Sequence, residues 1–367
     1  MSKGAEPGRT QRERLELMMA SLAPAALGLA AVPVAAAGRL AWLAPVLALP
    51  FGLLLCRLWG RFGRESLSRG LETAFGRILG RGLAAAYLLW GICLLAVSAR
   101  RYADRLTATV GEVDSRWFLL GATLAVILWL SRGGGASFAR MGRIFFLAVT
   151  VVLGAVLLLA LSSLHWENLW PAWRKEAAGL PAAGLAVLSL AGYGVYALCL
   201  PQGRESAHRG EKWAVWACGS LSALLLALVG AFGPALVGEM NEPILYLLRG
   251  VGLPGAFQRG EAALAAVIAL GDLVLLALLA WSCGALGREI LPRWTWGRYP
   301  AAALGFLAAG WLPDRETVLF LSERAVPAGN LFFGVLLPAL AVLTEWLRTR
   351  GRGQAISSEE SVKEGQI

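Results

Sequence analysis

The chain has 367 residues, of which 57% are hydrophobic and only 16% are charged. Soluble domains carry about 25% charged residues. The mean hydropathy of +0.61 reflects long apolar runs separated by short loops, so the composition excludes an ordinary soluble protein. Runs of about 18 or more apolar residues are long enough to cross a bilayer as helices. We therefore expect an all-α integral membrane protein.

Ten apolar segments predict about ten transmembrane helices. We number them spans one to ten, at residues 15–37, 40–56, 78–99, 117–131, 144–164, 181–201, 213–237, 262–286, 299–312 and 329–347. Spans four and nine are short for a full crossing. Span nine is either re-entrant or continues into residues 318–321. Residues 15–347 then form one ten-helix transmembrane domain.

The basic residues indicate how the chain is oriented. With a cytoplasmic N-terminus, roughly two thirds of the 34 lysines and arginines fall in cytoplasmic loops and tails, as the positive-inside rule requires. An even number of spans places both termini there. Residues 1–14 become a cytoplasmic tail, and residues 348–367 become a polar cytoplasmic tail that we expect to be disordered.

The net charge of +10 has the same explanation. The arginines are spread over short loops rather than gathered on one face, so they indicate topology and not a nucleic-acid partner. Many of the 15 tryptophans lie near span ends, where they are typical of the interface with membrane lipids.

Spans one and six contain residues that interrupt membrane helices. Span one has two prolines around Gly28, and residues 189–194 in span six read Ser-Leu-Ala-Gly-Tyr-Gly. The two spans lie five apart, as a five-plus-five inverted repeat requires, and transporters often bind substrates at such discontinuous spans. The candidate ligand-binding residues are Gly28, Gly192, Tyr193, Gly194 and Tyr196. Alternatively, the glycines serve close helix packing and the tyrosines are packing residues.

Asp272 lies in the middle of span eight with apolar residues on both sides. An acidic residue at that depth costs roughly 2.5–3.5 kcal/mol on insertion scales. Such a residue either forms a proton site, a cation site or a contact for an amino group, or is a protonated or paired carboxyl that locks helix packing.

The sequence favours neither an enzyme nor a metalloprotein. The five cysteines lie within or beside apolar runs, and the two histidines, His165 and His208, lie in different loops. These residues predict no metal site and no cofactor. Paired membrane carboxylates, a Gly-x-Ser-x-Gly elbow and a phosphate-binding glycine loop are all missing from the sequence.

Several short motifs occur in a characteristic order. Residues 76–81 read Gly-Arg-Ile-Leu-Gly-Arg, residues 135–140 read Gly-Ala-Ser-Phe-Ala-Arg, and residues 168–171 read Asn-Leu-Trp-Pro. Gly192 and Pro201 have the spacing of a Gly-Phe-Glu…Pro motif. Over residues 15–347 these features resemble the B subunit of bacterial spore germinant receptors, within the amino acid–polyamine–organocation superfamily.

The resemblance implies a fold and a function. It implies a LeuT-like arrangement of ten helices that recognises a nutrient, often an amino acid, to trigger spore germination. It also implies assembly with an A subunit and a C-subunit lipoprotein in the spore's inner membrane, a bacterial cytoplasmic membrane. The alternative function is a secondary active transporter, or permease, of amino acids or related amines, because the same fold serves both.

The resemblance also concerns individual residues. Residues 257–261 resemble a Phe-x-Arg-x-Glu motif before span eight, which makes Arg259 and Glu261 candidates for an outer gate. Alternatively, these two residues form an exposed ion pair. The family usually has an acidic residue where this chain has Gly194. One hypothesis is that Asp272 takes over the role of that missing acid.

Overall fold

The computed structural model describes residues 7–62, 66–110, 116–130, 132, 135–170, 174–199, 208–240, 243–250, 258–291 and 298–348. Every regular element among these residues is a helix, and none is a strand. Residues 1–6 and 349–367, which include part of the predicted N-terminal tail and nearly all of the C-terminal one, lie outside the described part. The first helix begins at Pro7 and runs unbroken into span one.

Seven helical stretches among the described residues are long and apolar enough to cross a membrane. They are Ala31–Trp59, Arg77–Thr107, Gly142–Ser163, Lys175–Cys199, Glu211–Phe232, Ala266–Ile290 and Arg315–Arg348. Two shorter apolar helices, Glu16–Leu29 and Arg116–Leu130, and the 14-residue helix Arg298–Trp311 account for the rest of the predicted spans. The described part of this membrane protein is thus all-helical, and each of the ten predicted spans overlaps at least one helix.

Span one is interrupted at Ala30. The helix Pro7–Leu29 ends there, and a second helix, Ala31–Ala37, begins one residue later. Pro33 explains the position, because a proline ring clashes with the carbonyl four residues earlier, here that of Leu29, and cannot donate a hydrogen bond to it. Gly38 ends the second helix with a φ of 53°, a left-handed conformation that favours glycine.

Span six tightens in its middle rather than unwinding. The helix Arg174–Leu188 is followed by the turn Ala191–Gly194 and the 3-10 helix Val195–Cys199. Between them the bonds join residues three apart: Leu190 N donates to Val187 O at 3.1 Å and Gly192 N donates to Ser189 O at 3.0 Å. The predicted end of this span, around Pro201, lies outside the described residues.

Two boundaries differ from the sequence prediction. Span three, predicted at 78–99, continues as one helix, Arg77–Val110, because charged residues that hydropathy assigns to a loop are paired inside the protein. Residues 318–321 do not extend span nine: that helix ends at Trp311. They belong instead to span ten, whose helix runs over Arg315–Arg348 and includes the π-helical turns Leu321–Ala325 and Phe332–Leu336.

The helices of the other spans overlap the predicted residues, although the helix of span five begins nine residues before its predicted start at residue 144 and the helix of span two ends six residues after its predicted end. Their bounds are Gly38–Leu43 and Ala44–Phe62 for span two, Leu67–Phe75 before span three, Arg116–Leu130 for span four, Gly135–Ala160 for span five, His208–Phe232 and Pro234–Glu239 for span seven, Pro243–Gly250 after it, and Gln258–Ile290 for span eight.

The buried apolar side chains form two clusters that meet at span one. The first half of that span, including Leu17, packs in one cluster with spans three, eight, nine and ten. The second half, including Val34, packs in the other cluster with spans two, six and seven. Ala30 itself belongs to the second cluster, and spans two, six and eight also contribute side chains to both clusters.

The first half of span one contacts span five very closely at Gly142. A Cβ atom at this position would lie 2.6 Å from the Cα of Leu17, which is fully buried. Gly154, further along the same helix, has nothing within 4 Å of the equivalent position. The two glycines differ in their surroundings although they share one helix.

We predict that Gly142→Ala destabilises the protein and that Gly154→Ala does not. Alanine favours a helix over glycine by about 1 kcal/mol at either site, whereas overpacking at Gly142 costs about 1–3 kcal/mol. The midpoint of thermal unfolding in detergent should therefore fall only for Gly142→Ala. Equal midpoints for both variants would contradict the close contact.

Candidate ligand-binding site

A small polar cavity lies beside the irregular parts of spans one and six. Its volume is about 30 Å³, above the roughly 10–15 Å³ that a cavity needs to hold a water molecule. Its polar lining comes from several spans and consists of Ser98, Arg101, Arg105, Ser189, Tyr193, Asp272, Ser322 and Asn330. Charged and hydroxyl groups thus converge here in an otherwise apolar interior.

Asp272 forms an ion pair with Arg105 of span three. Arg105 Nη1 donates to Asp272 Oδ2, and both residues are buried. A buried carboxylate is tolerated when a hydrogen-bonded cation faces it. Of the two interpretations that the sequence left open, the geometry fits a paired carboxyl, and the pair also lines the cavity.

Arg101 holds the end of the first half of span one. Both terminal nitrogens of its guanidinium donate to the carbonyl of Gly28, at 3.2 and 3.3 Å. The carbonyls in the last turn of a helix lack partners within the helix and carry partial negative charge, so a cation is favourable there. Gly28 leaves room for this contact, since a Cβ atom would lie 2.6 Å from Arg101 Nη1.

Arg100 makes a third contact of the same kind. Its side chain is 2% exposed, its Nε donates to Asp104 at 3.0 Å, and its Nη1 donates to the carbonyl of Leu312 at 2.7 Å. Three arginines on two turns of span three thus join spans one and eight and the end of span nine.

The sequence prediction ended span three at residue 99 and therefore placed these three arginines in the outer loop before span four. The signal it missed was the lack of proline or glycine between residues 92 and 110.

Two of the five candidate residues belong to this cavity or its rim. Tyr193 lines it and shares a side-chain hydrogen bond with Ser98. Gly28 contributes the carbonyl that Arg101 binds.

The other three candidates are packed against neighbouring helices. A Cβ atom at Gly192 would collide with Asn330 of span ten, and one at Gly194 would lie 2.9 Å from the ring of Trp59. Tyr196 is fully buried away from the cavity and donates its hydroxyl to the carbonyl of Tyr87 at 2.8 Å. A side chain at Gly194 would consequently have to displace the ring of Trp59.

Arg259 and Glu261 lie in the first turn of the helix Gln258–Ile290. Their side chains lie outside the described part of the structure, so their candidacy as an outer gate stays a prediction.

Span ten supplies polar residues that sequence reasoning missed. Asn330 is 1% exposed, and Trp90 Nε1 donates to its Oδ1 at 3.1 Å. The hydroxyl of Ser322 donates to Leu319 O at 2.9 Å, and that of Ser189 donates to Ala186 O at 2.6 Å. Because a hydroxyl also has acceptor lone pairs, both serines can still accept hydrogen bonds.

A second, larger cavity adjoins the polar one. It has a volume of about 200 Å³ and is lined mainly by aliphatic and aromatic side chains of spans one, two, five, six, seven and eight. Pro24 and Leu190 line both cavities, which makes the two cavities neighbours. Within the described residues, no three His, Cys, Asp or Glu side chains are grouped to hold a metal ion.

Comparisons with known proteins identify both the family and the fold. The sequence model of the family described as spore germination protein matches residues 16–293. No curated protein matches the chain. The structure is similar to that of a manganese transporter from Eremococcus coleocola in complex with an aromatic bis-isothiourea compound. The TM-score is 0.56 at 14% identity, over 92% of this chain and 80% of that one.

Structures of two single-residue mutants of the same transporter are also similar. The first gives a TM-score of 0.55 at 14% identity over 98% of this chain and 89% of that one. The second gives a TM-score of 0.55 at 14% identity over 92% and 80%. At this identity the likeness shows a transporter fold, of the LeuT type, and says nothing about cargo. Family and fold together point to a membrane permease rather than an enzyme.

We predict a strong coupling between Arg105 and Asp272. Breaking a buried ion pair from one side costs about 3–5 kcal/mol, because it leaves one charge buried without its partner. Arg105→Gln and Asp272→Asn should each lower the midpoint of thermal unfolding, and the double variant should lose much less than the sum of the two losses.

The matched control for this double-mutant cycle is Arg81→Gln on the same helix. Arg81 pairs with Glu72 at 3.0 Å, but its side chain is 45% exposed. Such an exposed pair is worth about 0–1 kcal/mol. Strictly additive losses for Arg105 and Asp272 would contradict a coupled pair.

Proposed function

Because the chain belongs to the spore germination protein family, we propose that it is the nutrient-sensing membrane subunit of a spore germinant receptor. Its ligand is a small molecule of the amino acid type. The observation that carries this proposal is the polar cavity beside the interruption of span one and the distorted part of span six. A site in that position is where discontinuous spans of transporters bind substrates.

The proposal includes an architecture. Ten spans form a five-plus-five inverted repeat in which spans one and six are equivalent, and both termini face the cytoplasm. The supporting features are the five-span separation of the two irregular helices and the distribution of basic residues. Arg259 and Glu261 act at the outer side of the site, and the subunit works with an A subunit and a C-subunit lipoprotein in the spore's inner membrane.

The second candidate function is secondary active transport of amino acids or related amines. Two observations favour it: the transporter fold, and the buried acid Asp272 at the cavity, where a titratable carboxylate can couple a proton to substrate movement. Sensing and transport share the binding step, and they differ in whether the ligand crosses the membrane.

Deleting the gene from the source organism tests the receptor function. We expect the mutant spores to retain their refractility with one nutrient, or one class of nutrients, in a panel of amino acids, and to germinate normally with the others. The measurement is loss of optical density after nutrient addition. Normal germination with every nutrient, or a source organism that forms no spores, would contradict the receptor role.

Uptake measurements separate the second function from the first. The purified protein in sealed vesicles should bind the nutrient found above without accumulating it. Accumulation of radiolabelled amino acid above the level in protein-free vesicles would instead establish a transporter.

We predict that Asp272→Asn abolishes or strongly weakens the nutrient response. The substitution keeps the size of the side chain but removes the charge that pairs with Arg105 and lines the cavity. The amount of variant in spore membranes, measured with an epitope tag, controls for its stability. An Asp272→Asn protein that is present at the normal level, binds and responds normally would exclude Asp272 from the site.

A further inference from the structure

Asn330 presents an unused hydrogen-bond donor at the polar cavity. The bond from Trp90 Nε1 to Asn330 Oδ1 fixes the orientation of the amide, so its Nδ2 is the remaining donor group. This nitrogen is buried and has no hydrogen-bond partner in the described part of the chain. Buried donors are rarely left without an acceptor. This donor is therefore available to an oxygen atom inside the cavity, and a ligand carboxylate can supply that oxygen in place of water.

The polar lining offers complementary groups for both ends of a zwitterion. Asn330 and Arg101 carry N–H donors, which suit a carboxylate. Asp272 and the hydroxyl oxygens of Ser189 and Ser322 are acceptors, which suit an ammonium group. The head group of an α-amino acid carries both charges on one carbon atom.

The polar cavity is too small for a whole amino acid. Its volume of about 30 Å³ compares with about 200 Å³ for the adjoining apolar cavity. Pro24 and Leu190, on the two irregular spans, line both cavities. A ligand with its head group in the first cavity therefore extends past these residues into the second.

The apolar cavity selects the kind of side chain. Transfer of a charged or polar group into such surroundings without a hydrogen-bond partner is unfavourable, whereas each buried methylene is favourable. We infer that the two cavities form one site for an amino acid with an apolar side chain, whose carboxylate is bound by Asn330. This inference rests on the proposed function. It adds the class of ligand and a residue of span ten, Asn330, that donates a hydrogen bond to the ligand's carboxylate.

Competition binding on the purified full-length protein in detergent tests the side-chain preference. The probe is radiolabelled leucine, and the competitors are glycine, alanine, leucine, lysine and leucinamide. A methylene that becomes buried contributes about fourfold in affinity. Leucine should consequently bind about 50-fold more tightly than alanine, and lysine should compete no better than alanine.

Asn330→Asp tests the head-group assignment. The variant keeps the size of the side chain and an acceptor for Trp90, but replaces the N–H donor by a negative charge. The affinity for leucine should fall about 10- to 100-fold, as expected for a lost hydrogen bond to a charged group. Leucinamide, which has an amide in place of the carboxylate, should lose much less. A purely structural role of Asn330 would lower both affinities equally.

Gly52→Leu tests the apolar cavity. Gly52 lines that cavity and has open space where a Cβ atom would lie, so a leucine side chain there should fill part of it. The affinity for leucine should fall towards that for alanine, while the affinity for alanine stays the same. The matched control is Gly121→Leu, since Gly121 also has open space at its Cβ position but does not line the cavity.

The outcomes separate this inference from the proposed function. Amino acid binding without a preference for apolar side chains, or an Asn330→Asp variant that still favours leucine over leucinamide, would overturn the inference and leave the function standing. Lack of binding by any amino acid, together with normal germination of the deletion mutant, would overturn both.

Discussion

The arrangement of this protein depends on one constraint: a backbone carbonyl that is freed inside a membrane must find a donor within the protein. Pro33 ends the first helix of span one at Leu29 and so frees carbonyls in its last turn. Water is scarce at that depth, and a neighbouring helix has to supply the N–H groups. Arg101 does so with two hydrogen bonds to Gly28.

Span three is consequently the element around which the others are placed. Its buried arginines bind a carbonyl of span one, a carboxylate of span eight and a carbonyl just after span nine. Each guanidinium is planar, always charged and able to donate several hydrogen bonds at once. An arginine can therefore join helix ends and carboxylates that apolar packing alone would leave unpaired.

Sequence reasoning could predict the features that depend on nearby residues. Apolar runs predict the helices, and the two prolines around Gly28 indicate that span one is irregular. It could not predict the length of span three, because the partners of its arginines lie 73, 167 and 212 residues away along the chain. A hydropathy argument treats such arginines as solvated, and only the folded structure shows what neutralises them.

The sequence alone could identify only some of the residues that line the polar cavity. Asp272 and Tyr193 stand out in the sequence as polar groups within apolar spans, and both line the cavity. Gly192 and Gly194 stand out equally, yet their lack of a side chain lets Asn330 and Trp59 approach. A glycine motif in the sequence does not distinguish a glycine that leaves space for a ligand from one that leaves space for a neighbouring helix. Asn330 attracted no attention because its donor is unusual only once its neighbours are known.

The hydrogen bonds from Arg101 to Gly28 connect ligand binding in the proposed site with the position of the first half of span one. Arg101 lines the cavity and also donates to the Gly28 carbonyl in the first half of span one, so an anionic ligand in the proposed site would compete with that carbonyl for one guanidinium. An anionic ligand that draws Arg101 towards itself weakens its hold on that half-helix, and a half-helix that moves away releases Arg101 to the ligand. Thermodynamic linkage makes the two effects equal in size. In the proposed site, ligand binding and the position of the first half of span one would therefore be coupled directly through Arg101.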